Sequence, residues 1–148
     1  MATFTIVDTT LRTALKTALL TAVPTLTKIY DDDPYTPNNG LELPIGFISL
    51  SSLEPTQEIE GVAVAQIGMW FKYELTVLSH KPTTGTLQAA KVTLANAILA
   101  QLYTATTFSG YLREPGIVEF DSDTTVESAE PIYAVRVGMN ILTIMPEL

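Results

Sequence analysis

The sequence predicts an α+β fold: an antiparallel sheet with two helices packed on one face, plus a peripheral hairpin or arm. Three observations predict it. Residues 69–78 alternate strictly, with Met69, Phe71, Tyr73, Leu75 and Val77 on one side and Trp70, Lys72, Glu74, Thr76 and Leu78 on the other. That period of two marks a strand with one buried face. Two other stretches, about 10–23 and 86–102, repeat their apolar residues at helical spacing. A long closing stretch, 132–145, alternates in the same sense as 69–78, with Tyr133, Val135, Val137, Met139 and Ile141 sharing a side.

Taken in order, the first helix carries Leu11, Ala14, Leu15, Ala18, Leu19, Ala22 and Val23 as its apolar stripe. Asp8 or Thr9 is placed to cap it, and Pro24 stops it. Its other face holds threonines with Arg12 and Lys16 one turn apart, which reads as a solvated face with a local positive spot. Residues 27–30 read as a short strand. Residues 31–40, with three aspartates, two prolines and Asn39-Gly40, read as a loop ending in a turn. A second strand spans 43–53, with Pro44 at its start placing it near a sheet edge. Residues 54–65 turn polar and then small, the composition of an excursion or hairpin arm between core strands.

His80-Lys81-Pro82 ends the strong strand, because proline cannot donate to the ladder and biases its predecessor away from helix. Thr83, Thr84 or Thr86 then caps the second helix. Leu87, Ala90, Leu94, Ala97, Ile98 and Leu102 form its expected core stripe, beside a second row of Val92, Ala95, Leu99 and Tyr103. Lys91 is the only charged residue between Pro82 and Leu112. A helix with so little charge on its back is expected to be covered on two sides, by its own sheet and by a neighbour. Polar residues interrupt the run short of the roughly 20 apolar residues of a membrane span. Residues 104–115 read as a loop. Residues 117–120 and 125–129 read as two short strands around the turn Asp121-Ser122-Asp123. On the closing strand Arg136 faces outward, where it is placed to pair with Glu74, and Leu142 and Ile144 turn that outer side apolar near its end.

A chain of 148 residues is read as one assembly domain, 1–148, with enough length to bury a core. Its 47% hydrophobic and 16% charged residues exclude disorder as the default state and leave few charges to wet a lone subunit. The formal net charge of −8 opposes a nucleic-acid binder that grips phosphates. Cysteine is absent, which removes disulfides and thiolate chemistry. The N-terminal residues lack the basic-then-apolar pattern of a signal peptide, so synthesis in a cytoplasm is expected.

No catalytic or cofactor-binding residue is assigned. His80 is the single histidine, with no cysteine or matched acid at a recognisable spacing, and it reads as a strand end. Asp31, Asp32 and Asp33 have the hard oxygen ligands that suit Mg²⁺ or Ca²⁺, yet no calcium-loop spacing surrounds them and the solvated turn is preferred. No phosphate-binding glycine loop, nucleophile elbow or zinc-binding helix motif is present. The residues expected at subunit contacts are Val92, Ala95, Leu99, Tyr103, Leu142 and Ile144.

The order of elements, with the helix at 11–23, Lys28-Ile29-Tyr30, the run Leu43-Pro44-Ile45-Gly46-Phe47-Ile48 and the helix at 87–102, resembles the tail terminator and neck (tail-completion) proteins of long-tailed bacteriophages. These are small α+β subunits that form hexameric rings. The resemblance spans nearly the whole chain and rests on element order, size and an acidic, cysteine-free composition; no functional residue is carried over from it. It implies a non-catalytic virion protein, made in the host cytoplasm, without cofactor or membrane. Its ring would end the tail tube and join other tail and connector proteins. Asp31, Asp32, Asp33, Asp121 and Asp123 would line the lumen or face a partner, letting DNA pass without specific binding. A tail-tube subunit fits the same class. Outside it stand a metal-assisted hydrolase built on Asp31, Asp32 and Asp33, and a peptide- or ligand-binding domain with a groove beside the second helix.

Overall fold

The computed structural model describes residues 4–31, 44–56, 66–80, 82, 84–102, 107–108, 111–121 and 132–146, with side-chain environments left aside at 56, 66–67, 107–121, 132 and 145–146. Two helices and six strands follow in the order α1 (Phe4–Ala22), β1 (Lys28–Tyr30), β2 (Ile45–Thr56), β3 (Gln66–His80), α2 (Leu87–Leu102), β4 (Thr107–Phe108), β5 (Tyr111–Asp121) and β6 (Ile132–Pro146). The strands form one sheet in the order β1-β2-β3-β6-β5-β4. The fold is α+β, and the sheet does not close into a barrel.

The alternation read in the sequence decides which face of the sheet is dry. β3 and β6 pair antiparallel along their full lengths, with Phe71 opposite Ile141, Tyr73 opposite Met139, Leu75 opposite Val137 and Val77 opposite Val135. Residues directly opposite on neighbouring strands share a face, and all of these are buried in one core. α1 closes that core with Val7, Leu11, Leu15 and Leu19, one residue per turn, and α2 closes it with Ala95, Ile98 and Leu102. Both helices therefore cover the same face, as expected.

Four local expectations change. α1 begins at Phe4, so Asp8 and Thr9 lie inside the helix and cap nothing; Thr9 donates its hydroxyl back to the Thr5 carbonyl. β1 runs parallel to β2, with Lys28 opposite Ile45 and Tyr30 opposite Phe47, which makes the sheet mixed. Parallel neighbours need a connection of about a dozen residues or more, and residues 31–44 supply that length. Residues 111–115, expected in a loop, belong to β5. The ladder absorbs Pro115 where its register shifts between Pro115 and Val118, a bulge being one of the places a sheet accepts proline. The short β4 also falls where a loop was expected. The anticipated strand at 125–129 and most of the arm at 54–65 lie outside the described residues.

The start of α2 follows its sequence closely. Gly85 takes φ 81°, a left-handed turn that glycine enters without strain. Thr86 then caps the helix, its Oγ1 accepting from the Ala89 N–H at 3.1 Å.

Candidate interaction surfaces

Three regions carry chemistry beyond core packing. The first is a polar clip where α1 crosses the end of β1. Arg12 lies one turn after Asp8, and its Nε donates to both Asp8 carboxylate oxygens at 3.0 Å. Its Nη1 donates at 2.7 Å to the Asp31 carbonyl and at 2.7 Å to the Ile48 carbonyl. Asp31 and Ile48 directly follow the last paired residues of β1 and β2, Tyr30 and Phe47. The guanidinium thus takes over where the ladder stops and satisfies carbonyls that would otherwise be left open. Tyr73 completes the cluster from β3, donating its hydroxyl to Asp8 Oδ1 at 2.6 Å, with Arg12 above its ring. Burial, then the hydrogen bond to Asp8 and the charge of Asp8, hold the Tyr73 phenol far above its ordinary range, while Arg12 pulls weakly the other way.

The solvated reading of Arg12 is therefore corrected: its side chain is mostly covered, and its partners are carboxylates and carbonyls of its own chain. Lys16 reaches the same place, its Nζ 2.7 Å from Asp31 Oδ1. Asp31 is thus engaged by a neighbouring cation. Asp32 and Asp33 lie outside the described residues, among which no group of three His, Cys, Asp or Glu is placed to hold a metal.

The second region is the sheet face turned away from the helices. Its middle is polar: Lys72 pairs with Glu54 at 2.8 Å and Arg136 with Glu74 at 3.7 Å, the latter the pair expected from alternation. One end is apolar and open. Trp70 and Leu142 are opposite each other and half-buried, and Ile144, opposite Gly68, is 49% exposed. At the other end Ile45, Phe47 and Ala134 are buried outside the helix-side core, with Tyr30 stacked on Phe47 at a centroid distance of 5.6 Å. Asp121 ends β5 opposite Ala134; Asp123 lies outside the described residues.

The third region is the outer layer of the helices. Thr9, Thr10, Thr13, Thr17 and Thr21 of α1 each return their hydroxyl to the carbonyl four residues earlier. Donors so engaged leave methyl groups and no charge outward. On α2 the buried positions are Lys91, Ala95, Ile98 and Leu102. Ala95 is therefore a core residue and not a neighbour-facing one. Leu99 is half-buried and packs on the core, whereas Val92 is 40% exposed. Tyr103 lies outside the described residues. The expected stripe was rotated because α2 is apolar or small nearly all round, so its composition does not indicate which side meets the sheet. Sequence reasoning missed Lys91 as a buried residue, and with α2 alike on most sides no local signal marked it. His80 is exposed at the end of β3.

No family model and no curated protein matches the chain. Among solved structures it is similar to the sheath/tube terminator of an extracellular contractile injection system, PVC, in the extended state. The two share 11% identity at a TM-score of 0.47, over 97% of this chain and 58% of that one. The chain thus spans less than two thirds of that protein's length. No described helix is long and apolar enough to cross a membrane.

Proposed function

We propose that this chain is a non-catalytic structural subunit of a phage-type tail or neck, and that copies of it close into a ring, of six in the reading drawn from the resemblance. That ring ends the tail tube and meets the head connector, in the virion. The observation that carries the reading is apolar or charge-free surface on two sides of one subunit. Ile144 stands beside Trp70 and Leu142 on the open sheet face, and Val92 stands on a helix whose other exposed positions are neutral. Head-to-tail ring contacts need two different complementary patches on each copy, and these two lie on opposite layers of the fold. The surfaces carry the proposal; the likeness to the injection-system terminator does not.

The lumen assignment belongs to the same proposal. Excess carboxylate on the inner wall denies DNA a foothold through like-charge repulsion, with Asp31, Asp32, Asp33, Asp121 and Asp123 as the residues assigned to it. Native mass spectrometry of the full chain across a concentration series tests the assembly. A discrete closed multimer is expected, and Ile144→Asp is expected to shift it toward single subunits without loss of fold by circular dichroism. A wild-type chain that stays a single subunit at every concentration overturns the proposal. Open filaments in place of closed rings would move it to the tail-tube subunit.

A further inference from the structure

Among the described side chains, the basic ones near the clip and the sheet are matched within the chain. Arg12 meets Asp8, Lys16 meets Asp31, Lys72 meets Glu54 and Arg136 meets Glu74, while Lys28 lies over the Tyr30 ring at 4.7 Å. Lys91 differs. It is 4% exposed, the most deeply buried charged residue described, and no carboxylate or hydrogen-bond acceptor among the described residues reaches it. Its own helix has no acid to offer, the sequence of α2 being LQAAKVTLANAILAQL. A surface lysine lays its stem on apolar neighbours and keeps its head in water; so little exposure for the whole residue leaves almost no room for that. An ammonium held away from water without a counter-ion is unfavourable.

From this we infer that Lys91 is a socket for a carboxylate supplied by a second copy of this chain, an inference that rests on the ring reading and names one of its contacts. The position suits such a contact. Lys91 is the first member of the buried stripe along α2, in its second turn, with Ala95, Ile98 and Leu102 following it. Its four-carbon stem lets the ammonium turn toward an arriving anion. Around it the exposed residues Gln88, Val92 and Asn96 are neutral, so a carboxylate meets no competing charge on the helix. Charge selects the occupant. Each copy carries sixteen acids against eight bases, so copies repel unless a cation waits at their contact. A nucleic-acid phosphate would have to approach against the whole field of the chain. A carboxylate on a second copy is covalently attached to a subunit that also brings apolar contact area.

The test uses the full chain and the variants Lys91→Met and Lys91→Arg. Thermal unfolding of the dilute subunit and native mass spectrometry of the concentrated one are read together. Lys91→Met is expected to unfold at the same or a higher temperature, because it removes a buried charge. Its assembly is expected to weaken by about tenfold or more, as removal of one partner of a covered charge pair does. Lys91→Arg, which keeps the cation, is expected to keep assembly. Should Lys91→Met assemble like the wild type, the socket is overturned while the ring stands. A wild type that never assembles overturns both. If Lys91→Met does not fold, Lys91→Gln takes its place, and assembly of that variant like the wild type sinks the socket. DNA binding present in the wild type and lost in Lys91→Met would reassign the cation to phosphate and overturn the second-copy assignment.

Discussion

The two helices lie on the same face of the same sheet, yet they treat charge in opposite ways. α1 has Asp8, Arg12 and Lys16 on one flank, and each finds a partner within the chain: a carboxylate, a carbonyl at the end of a strand pair, or a tyrosine hydroxyl. Its exposed threonines are satisfied by its own backbone. α2 has one charge, and that charge is buried without a partner among the described residues. The difference separates a helix that is complete within the subunit from one whose electrostatics are left open. Exposed Val92 is the next residue of that helix, so an assembly contact there would lie beside the open charge.

Three further measurements test the contrast between the helices. If α1 is the more complete half, truncating its core should be costly in the subunit alone. Leu15→Ala is expected to destabilise by about 2–5 kcal/mol, since Leu15 is fully buried and a packed core relaxes only partly into such a gap. Urea unfolding of the dilute chain measures it, and a loss below about 1 kcal/mol would mean that α1 is loosely held.

Next comes the clip. Arg12→Met should cost about 3 kcal/mol, because it leaves the Asp31 and Ile48 carbonyls open and Asp8 without its cation. The loss should appear in the subunit itself and leave assembly of the folded fraction unchanged, the reverse of what is expected for Lys91→Met. Loss of assembly with full subunit stability would erase the contrast between the helices.

The smallest effect is a slope. In the unfolded chain Tyr73 ionises near pH 10, whereas in the fold its phenol stays protonated well above that. The raised value belongs to the folded state, so its stabilising contribution is full below pH 10 and is lost as pH climbs further. The slope from this group approaches about 1.4 kcal/mol per pH unit. Tyr73→Phe should therefore cost about 1 kcal/mol at neutral pH and show a shallower alkaline decline than the wild type. Equal alkaline slopes for the two would remove Tyr73 from the clip.

How much of this could be read in advance depended on the distance over which each feature is decided. Phe71, Tyr73 and Leu75 were legible as a buried face because alternation is visible within a few residues, and their partners on β6 alternate in phase. The Glu74–Arg136 pair followed from the same phase. Arg12 was not legible. Its partners lie 19 and 36 positions away, and nothing local distinguishes an arginine that reaches under a strand end from one in water. Among the expected contact residues, Ile144 and Val92 are exposed while Ala95 is interior. An alanine fits either side of a helix at little cost, so only packing decides.

Local pattern and composition were enough for the two helices, the long strands, the dry side of β3 and β6 and the acidic, lightly charged character of the chain. Those are properties of short windows and of composition, set by side-chain periodicity and by the backbone's few allowed conformations. Only the tertiary structure decided that β1 runs parallel to β2, that β5 carries Pro115 through a bulge, that Tyr73 and Asp8 meet across 65 positions, and that α2 turns Lys91 inward. Such outcomes depend on which distant surfaces come together, because a strand's neighbour, a helix's rotation and a long side chain's partner are set by contacts that no local pattern contains.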